Sequence, residues 1–158
     1  CHVEIRNFVW DLRPAALEHY DLPRALERMG RSLVLGSNTR ITVKKPAALP
    51  KILPFVEDNL LRIGQEALTN AVKHGHPRSI EIRLDEAAGN LVLEIENDGS
   101  GLPADTREGF GLRGMRERVK RIEGNFEIAA APEGGTIVRV KVPFPRNHPT
   151  GVTSSAAG

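Results

Sequence analysis

One predicted helix carries the run Ile63-Gly64-Gln65-Glu66-Ala67-Leu68-Thr69-Asn70-Ala71-Val72-Lys73-His74. Apolar residues recur through it with the spacing of a helix that buries one face. The pattern extends over residues 54–73, with Gly75 in the C-cap region and Pro77 just beyond, where proline cannot continue a helix. This helix is the longest element that the sequence predicts.

The polar residues of this helix share a face. Glu66 and Asn70 are four residues apart, and Lys73 and His74 continue the row one turn later. Asn70 offers an oxygen to Mg²⁺, an ion that prefers hard oxygen ligands shared with substrate phosphates. Glu66 could orient or deprotonate a water, and Lys73 could bind phosphate oxygens. Taken alone, these residues also fit the polar edge of an ordinary amphipathic helix.

The rest of the chain predicts further helices and five strands. One helix starts at Asp21 as N-cap and ends near Gly30 or a little beyond, and another covers residues 112 to about 122. Strand-like alternation occurs over residues 40–44, 80–84, 91–95, 126–128 and 138–142. The order of elements predicts an α+β fold: a two-layer α/β sandwich whose mixed, mostly antiparallel sheet has about three helices on one face.

Two glycine-rich segments adjoin these elements. Asn97-Asp98-Gly99-Ser100-Gly101 directly follows a strand, where glycines let the backbone approach a ligand. Gly109-Phe110-Gly111-Leu112-Arg113-Gly114-Met115 leads into a helix N-terminus, whose free N–H groups favour phosphates. Each segment alone is also typical of a turn or a flexible hinge.

Together these segments resemble the Bergerat-type ATPase domain shared by sensor histidine kinases, DNA gyrase and mismatch-repair ATPases. Residues 63–74 are similar to its N box, residues 97–101 to its first glycine box and residues 109–115 to its second. Glu133-Gly134-Gly135-Thr136 resembles the last motif, a turn before the final strand. The resemblance covers about residues 22–144, and the four motifs come in the family's order.

The resemblance implies ATP and Mg²⁺ as cofactors. Adenine would lie near Asn97, Leu102, Met115 and Thr136. The phosphates would run toward Asn70, Lys73 and the helix that starts at Leu112, and residues 103–108 would form a lid over the nucleotide. The implied nucleotide-binding residues are Asn70, Lys73, His74, Asn97, Gly99, Gly101, Leu102, Gly109, Gly111, Leu112, Met115 and Thr136. Asn70 would also be the metal ligand, and Glu66 the catalytic base.

Asn97 departs from the family pattern, which usually has Asp at this position to accept a hydrogen bond from the adenine amino group. Asp98 cannot easily substitute, because neighbouring side chains at a strand end point to opposite faces. An Asn oxygen can still accept the bond without the assistance of a charge, a loss of about 1 kcal/mol. We therefore expect ATP binding that is weakened roughly fivefold rather than abolished.

The start of the chain resembles one subfamily, the nitrate-sensor-like kinases. In these proteins the runs Asp11-Leu12-Arg13-Pro14 and Asp21-Leu22-Pro23-Arg24-Ala25-Leu26 would join dimerising helices to the ATP domain. The resemblance implies that residues 1–20 are the end of a dimerising helix and a linker, residues 21–145 the catalytic domain, and residues 146–158 a disordered tail.

The same resemblance implies an ATP-dependent protein histidine kinase whose acceptor histidine lies on an earlier helix. The γ-phosphoryl group would be transferred to that histidine, on the dimerising domain of the same kinase, and a downstream response regulator would be the next partner. Two alternatives stay open: a catalytically degenerate nucleotide-binding regulatory module, and a serine kinase of the anti-sigma-factor type. The Asp-Leu-Arg-Pro junction argues against the second.

Composition excludes several other classes. The 22 Lys and Arg residues are balanced by 20 Asp and Glu, and aromatic residues make up 4% of the chain, so nucleic acid is not an expected partner. No apolar run approaches the roughly 20 residues of a membrane-spanning helix, so direct membrane contact is not expected. Cys1 is the only cysteine. We expect a cytoplasmic domain whose parent could still be membrane-anchored.

Overall fold

The computed structural model describes residues 15–100, 111–132 and 134–144. The lid of residues 103–108, the tail of residues 146–158 and the first 14 residues of the expected dimerising-helix end and linker lie outside the described residues.

Four α-helices are present in the described part of the chain: α1 (Ala16–His19), α2 (Leu22–Leu33), α3 (Pro54–Asn70) and α4 (Leu112–Arg121). Helix α2 begins as predicted, because Asp21 Oδ1 accepts a hydrogen bond from Arg24 N at 3.1 Å and Pro23 lies in the first turn. It ends at Leu33, a little beyond Gly30. Helix α1 was not predicted, since four residues leave no periodic pattern to read. None of the described helices is long and apolar enough to cross a membrane.

The strands form one mixed sheet of five: β1 (Arg40–Lys44), β2 (Ser79–Ala87), β3 (Asn90–Asn97), β4 (Asn125–Ala130) and β5 (Thr136–Pro143). The strand order is β1-β2-β3-β5-β4, with β1 parallel to β2 and every other pair antiparallel. The turn between β2 and β3 consists of Ala88 and Gly89, both with positive φ, which suits a two-residue hairpin.

One face of the sheet is buried beneath the helices. Alternate residues of β2, β3 and β5 pack with apolar residues of α2, α3 and α4 in a single core. The opposite face is charged: Arg83 bridges Glu81 and Glu94, while Arg139 bonds Glu94 and Glu127. Burial opposes ionisation of Glu94, but hydrogen bonds from Arg139 and Arg83 hold its pKa below the usual value. The predicted two-layer α+β fold is confirmed.

The end of the long helix differs from the prediction. Helix α3 stops at Asn70 and continues as a π-helical turn over Ala71–Gly75. The turn ends at His76, which has left-handed backbone (φ 47°), so Gly75 lies in the C-cap region, one residue before the C-cap itself. The Gly75 carbonyl accepts a hydrogen bond from Ser100 N at 2.9 Å, which joins the end of this turn to the loop after β3. Single π turns of this kind are frequent at functional sites.

Candidate functional site

A pocket opens where the C-terminal end of α3 meets the end of β3 and the start of β5. The space between its walls is about 350 Å³ with open solvent included, and about 20 Å³ of it can hold the centre of a water molecule. The pocket is lined by Ala67, Asn70, Ala71, His74, Gly75, Asn97, Thr136 and Val138. Four residues implied by the family resemblance, Asn70, His74, Asn97 and Thr136, therefore share one pocket.

The sheet register brings the two strand residues of this pocket together. Asn97 is the last residue of β3 and lies directly opposite Thr136, the first residue of β5. Both are buried, with 6% and 7% of their surface exposed. Val138 lies two residues along β5 from Thr136 and so shares its face of the sheet. The floor of the pocket thus has two neutral polar side chains beside an apolar one.

The side chain of Asn97 is tied to the loop that follows it. Its Oδ1 accepts a hydrogen bond from Gly99 N at 2.8 Å. A backbone N–H is a donor, so the atom facing it must be the amide oxygen and not the amide nitrogen. The oxygen that was expected to accept a hydrogen bond from the adenine amino group therefore already accepts one bond within the protein, and it has a second lone pair.

Asp98 faces the other way, as expected from strand alternation. Its Oδ1 accepts hydrogen bonds from Ser79 N (3.0 Å) and Arg78 N (2.8 Å), and its Oδ2 accepts one from Ser79 Oγ (3.3 Å). These bonds, led by the one from the Ser79 backbone, lower the pKa of the Asp98 carboxyl. Asp98 joins the end of β3 to the start of β2 and does not line the pocket.

Asp98→Asn is expected to lower stability at neutral pH by less than about 1 kcal/mol, because the carboxylate is exposed and its interactions are screened. The folded-state pKa is lowered, so the stability that the carboxylate contributes is present above the unfolded pKa of about 3.9 and is lost as the pH falls through the folded value. Urea unfolding at pH 7 and pH 3 should show the variant and the wild type converging in acid. Asp85→Asn, at the exposed end of β2, is the control, and a difference at Asp98 that is equal at both pH values would contradict this account.

Gly99 is required by packing within the protein. A β-carbon added there would lie 2.6 Å from the Gly75 carbonyl carbon and 3.0 Å from its Cα. The loop after β3 thus rests on the backbone of the π-helical turn, with Ser100 N bonded to the Gly75 carbonyl. The sequence predicts that glycine here lets the backbone approach a ligand. The structure shows a close approach, but it is between Gly99 and the backbone of Gly75.

Glu66 lies beside the start of α4. A β-carbon at Gly111, the N-cap residue with φ 79°, would be 2.6 Å from Glu66 Cγ and closer still to its carboxylate. Gly111 has no side chain with which to cap α4, and a carboxylate near a helix N-terminus is stabilised by the helix dipole. Glu66, on the turn of α3 before Asn70, and the N-terminus of α4 therefore form one continuous region next to the pocket.

The remaining predicted residues fall into three groups. Lys73 is exposed and does not line the pocket. Leu112 and Met115 are buried in the core, with 6% and 1% of their surface exposed, rather than at the pocket wall. Gly101, Leu102 and Gly109 lie outside the described residues.

Sequence reasoning did not assign four lining residues to the site: Ala67, Ala71, Gly75 and Val138. Ala67 and Ala71 belong to the apolar pattern that predicts the buried face of this helix. They lie three or four residues from Asn70 and His74, so these four residues share one side of the helix. That spacing was enough to predict Ala67 and Ala71 as part of the site. Nothing local to Val138 indicates a site, because its position depends on the pairing of β5 with β3.

Comparison with known proteins places this arrangement in a family. The family model described as histidine kinase-, DNA gyrase B-, and HSP90-like ATPase matches residues 55–146. The sensor protein VraS of Staphylococcus haemolyticus is 30% identical over 148 residues, which are 91% of this chain and 41% of that protein. VraS of Staphylococcus aureus is 30% identical over 146 residues, again 41% of its length. The chain thus spans less than half the length of these relatives.

Solved structures share the fold. The histidine kinase domain of the blue-light activated histidine kinase EL346 from Erythrobacter litoralis superposes with a TM-score of 0.67 at 20% identity, covering 78% of this chain and 61% of that one. The ATP binding domain of PrrB from Mycobacterium tuberculosis gives 0.61 at 19% identity, covering 80% and 96%. The family match covers more than half of the chain and includes every described residue that lines the pocket. The chain therefore belongs to the histidine kinase-, DNA gyrase B- and HSP90-like ATPases, as its motifs predicted.

Proposed function

We propose that this chain binds ATP with Mg²⁺ and is the catalytic domain of a two-component sensor histidine kinase. The observation that carries the proposal is the pocket in which Asn70, His74, Asn97 and Thr136 converge beside the N-terminus of α4. Membership of the ATPase family supports the nucleotide, and the similarity to VraS sensor proteins supports the kinase.

The base of the nucleotide lies at the Asn97–Thr136 end in this proposal. Ala67, Ala71 and Val138 supply apolar walls there, which suit the faces of a purine. The phosphates extend toward Asn70 and the free N–H groups of α4, which attract anions. Lys73 is exposed on the neighbouring turn, where a side chain of its length can approach phosphate oxygens.

The residues present fit magnesium. In the part of the chain that the structure describes, no group of three or more His, Cys, Asp or Glu residues forms a metal cage. Mg²⁺ does not need one, because it is held by one or two protein oxygens together with substrate phosphates and water. Asn70 would supply the amide oxygen, and the bound ion would neutralise charge on the β- and γ-phosphoryl oxygens.

Glu66 is the candidate base. Its carboxylate lies near the N-terminus of α4, the place where the proposal puts the end of the phosphate chain. A carboxylate at that position can accept or orient the proton of the attacking group, while the N–H groups of α4 hold the phosphate oxygens. In this proposal the protein contributes position and charge, and the γ-phosphoryl group passes directly to the acceptor rather than through a described residue of the pocket.

The phosphoryl acceptor is a histidine on the dimerising domain of the same kinase, and the product passes to a response regulator. We assign the domain to the cytoplasm, and to the nitrate-sensor-like subfamily on the residues of the junction before α2. The similarity to sensor proteins favours this reading over an anti-sigma-type serine kinase.

Phosphoryl transfer in trans tests the proposal. This chain is mixed with the dimerising domain of its parent protein and with γ-labelled ATP and Mg²⁺. Label that is stable in base and labile in acid, and that is absent when the acceptor histidine is replaced by Gln, is the expected result. ATP binding without any such label would contradict the kinase and leave the regulatory module as the function.

A further inference from the structure

Strand β4 is an outer strand of the sheet. It pairs with β5 on one side, in continuous register from Asn125 opposite Lys141 to Ala130 opposite Thr136. In an antiparallel pair, alternate residues direct both N–H and C=O toward the partner strand, so the other residues of β4 direct theirs away from β5. Among the described residues, no backbone group outside the sheet forms a hydrogen bond with β4. This edge of the sheet can therefore take another strand.

The two outer strands differ in their protection against such pairing. Proteins guard exposed edges with lysine, proline, bulges or covering segments. The other outer strand, β1, starts at Arg40 and ends at Lys44, and Pro46 follows two residues later. Strand β4 has no basic residue, no proline and no bulge in its pairing with β5. Its single charged residue, Glu127, is paired with Arg139 at 3.0 Å, so β4 is the less protected edge.

The side of β4 that faces the helices is apolar and half-buried. Phe126 and Ile128 pack against the core and lie opposite Val140 and Val138 of β5. The guanidinium carbon of Arg116 lies 5.1 Å from the centre of the Phe126 ring. Because Phe126 and Ile128 stay partly exposed on an outer strand, a further strand beside β4 would bury more of both side chains.

We propose that β4 pairs antiparallel with β4 of a second copy of this chain, across a two-fold axis at Ile128. In this register Ile128 faces its own counterpart, Phe126 faces Ala130 of the second copy, and Glu127 faces Ala129 of the second copy. An axis at Glu127 would instead set two carboxylates opposite each other, which is unfavourable. The sequence of β4 is thus complementary to itself in the register centred at Ile128.

The inference goes beyond the proposed function and does not depend on nucleotide binding. The pairing of two short strands buries less surface than the roughly 1,200 Å² of a stable interface, so we expect a dissociation constant of about 0.1 mM. In the sensor kinase of the proposed function, dimerising helices hold two catalytic domains together. An effective concentration in the millimolar range, about tenfold above that constant, then favours the pairing.

Sedimentation equilibrium of the full chain, from about 10 µM to about 1 mM, tests the pairing. We expect a monomer that becomes a dimer across this range. Ala129 is exposed and does not line the pocket, so its variants should keep the fold and the ATP affinity. By symmetry, Ala129→Glu places two carboxylates opposite the two Glu127 side chains and should weaken the dimer about fivefold or more. Ala129→Lys places ammonium groups there and should strengthen it about two- to fivefold at low salt.

The matched controls are Thr42→Glu and Thr42→Lys, at an exposed residue of β1, and both should leave the dissociation constant unchanged. Weakening by both Ala129 variants alike, or equal effects at Thr42, would overturn the proposal. So would a chain that is monomeric at about 1 mM. In that case, dimerisation of a variant that ends at residue 145 would identify residues 146–158 as the segment that covers the edge. Calorimetry with ATP on the same samples tests the proposed function separately.

Discussion

Gly135→Ala is expected to destabilise the protein by about 3–5 kcal/mol, a large part of the stability of a domain of this size. A β-carbon at this residue would lie 2.7 Å from the carbonyl carbon of Asn97 and 2.9 Å from the Cα of Asp98. The backbone of Gly135 also has φ 93°, which costs an alanine about 1–2 kcal/mol. The steric clash and the backbone strain both act at the ends of β3 and β5, which hold Asn97 and Thr136 in the pocket. Nucleotide binding should therefore be lost together with the fold.

Gly134→Ala separates the two penalties. Gly134 has φ 97°, but nothing lies within 4 Å of the position of an added β-carbon. Its replacement should therefore cost only the backbone term, about 1–2 kcal/mol. Urea unfolding of both variants measures the difference. Equal losses at the two glycines would mean that Gly135 is not packed against the end of β3.

Asn70→Ala is expected to remove the effect of Mg²⁺ on ATP affinity and to reduce phosphoryl transfer about 100-fold. Asn70 is partly exposed at the end of α3, so the fold should be retained. Calorimetry with and without Mg²⁺ measures the first effect, and labelling of the dimerising domain measures the second. ATP affinity in the absence of Mg²⁺ should change less than twofold, well below 1 kcal/mol.

Gln65→Ala is the control for Asn70→Ala. Gln65 lies on the same helix but is exposed and does not line the pocket. It should behave as the wild type in both measurements. An Asn70→Ala protein in which Mg²⁺ still tightens ATP binding as in the wild type would show that the metal ligand lies elsewhere.

The strands and helix starts were predictable because their signals are local. Residues 40–44 alternate and form β1 as expected, and Asp21 caps α2 through a bond three residues away. The two-residue turn at Ala88 and Gly89 likewise depends on its own residues. These elements obey rules that involve only sequence neighbours.

The parts of the site that the sequence did not predict depend on distant contacts. The π-helical turn after Asn70 continues an unbroken helical pattern, and its end is held by Ser100, 25 residues later. The hydrogen bond from Gly99 N to the Asn97 oxygen was not predicted either. It depends on the path of the loop after β3, and that path brings Gly99 against the Gly75 backbone, 24 residues earlier in the chain. The motifs therefore identified the pocket, but the direction of the Asn97 hydrogen bond required the folded backbone.

The central claim is that a nucleotide binds in the pocket at the end of α3, β3 and β5, and NMR tests it directly. ¹⁵N spectra of this chain are recorded during titration with ATP and Mg²⁺. The account predicts shifts of the Asn97 side-chain amide and of the backbone N–H groups of Gly75, Thr136 and Val138. Residues of the charged sheet face, such as Arg83 and Arg139, should stay unchanged. Shifts confined to that face, or none at millimolar ATP, would contradict the account.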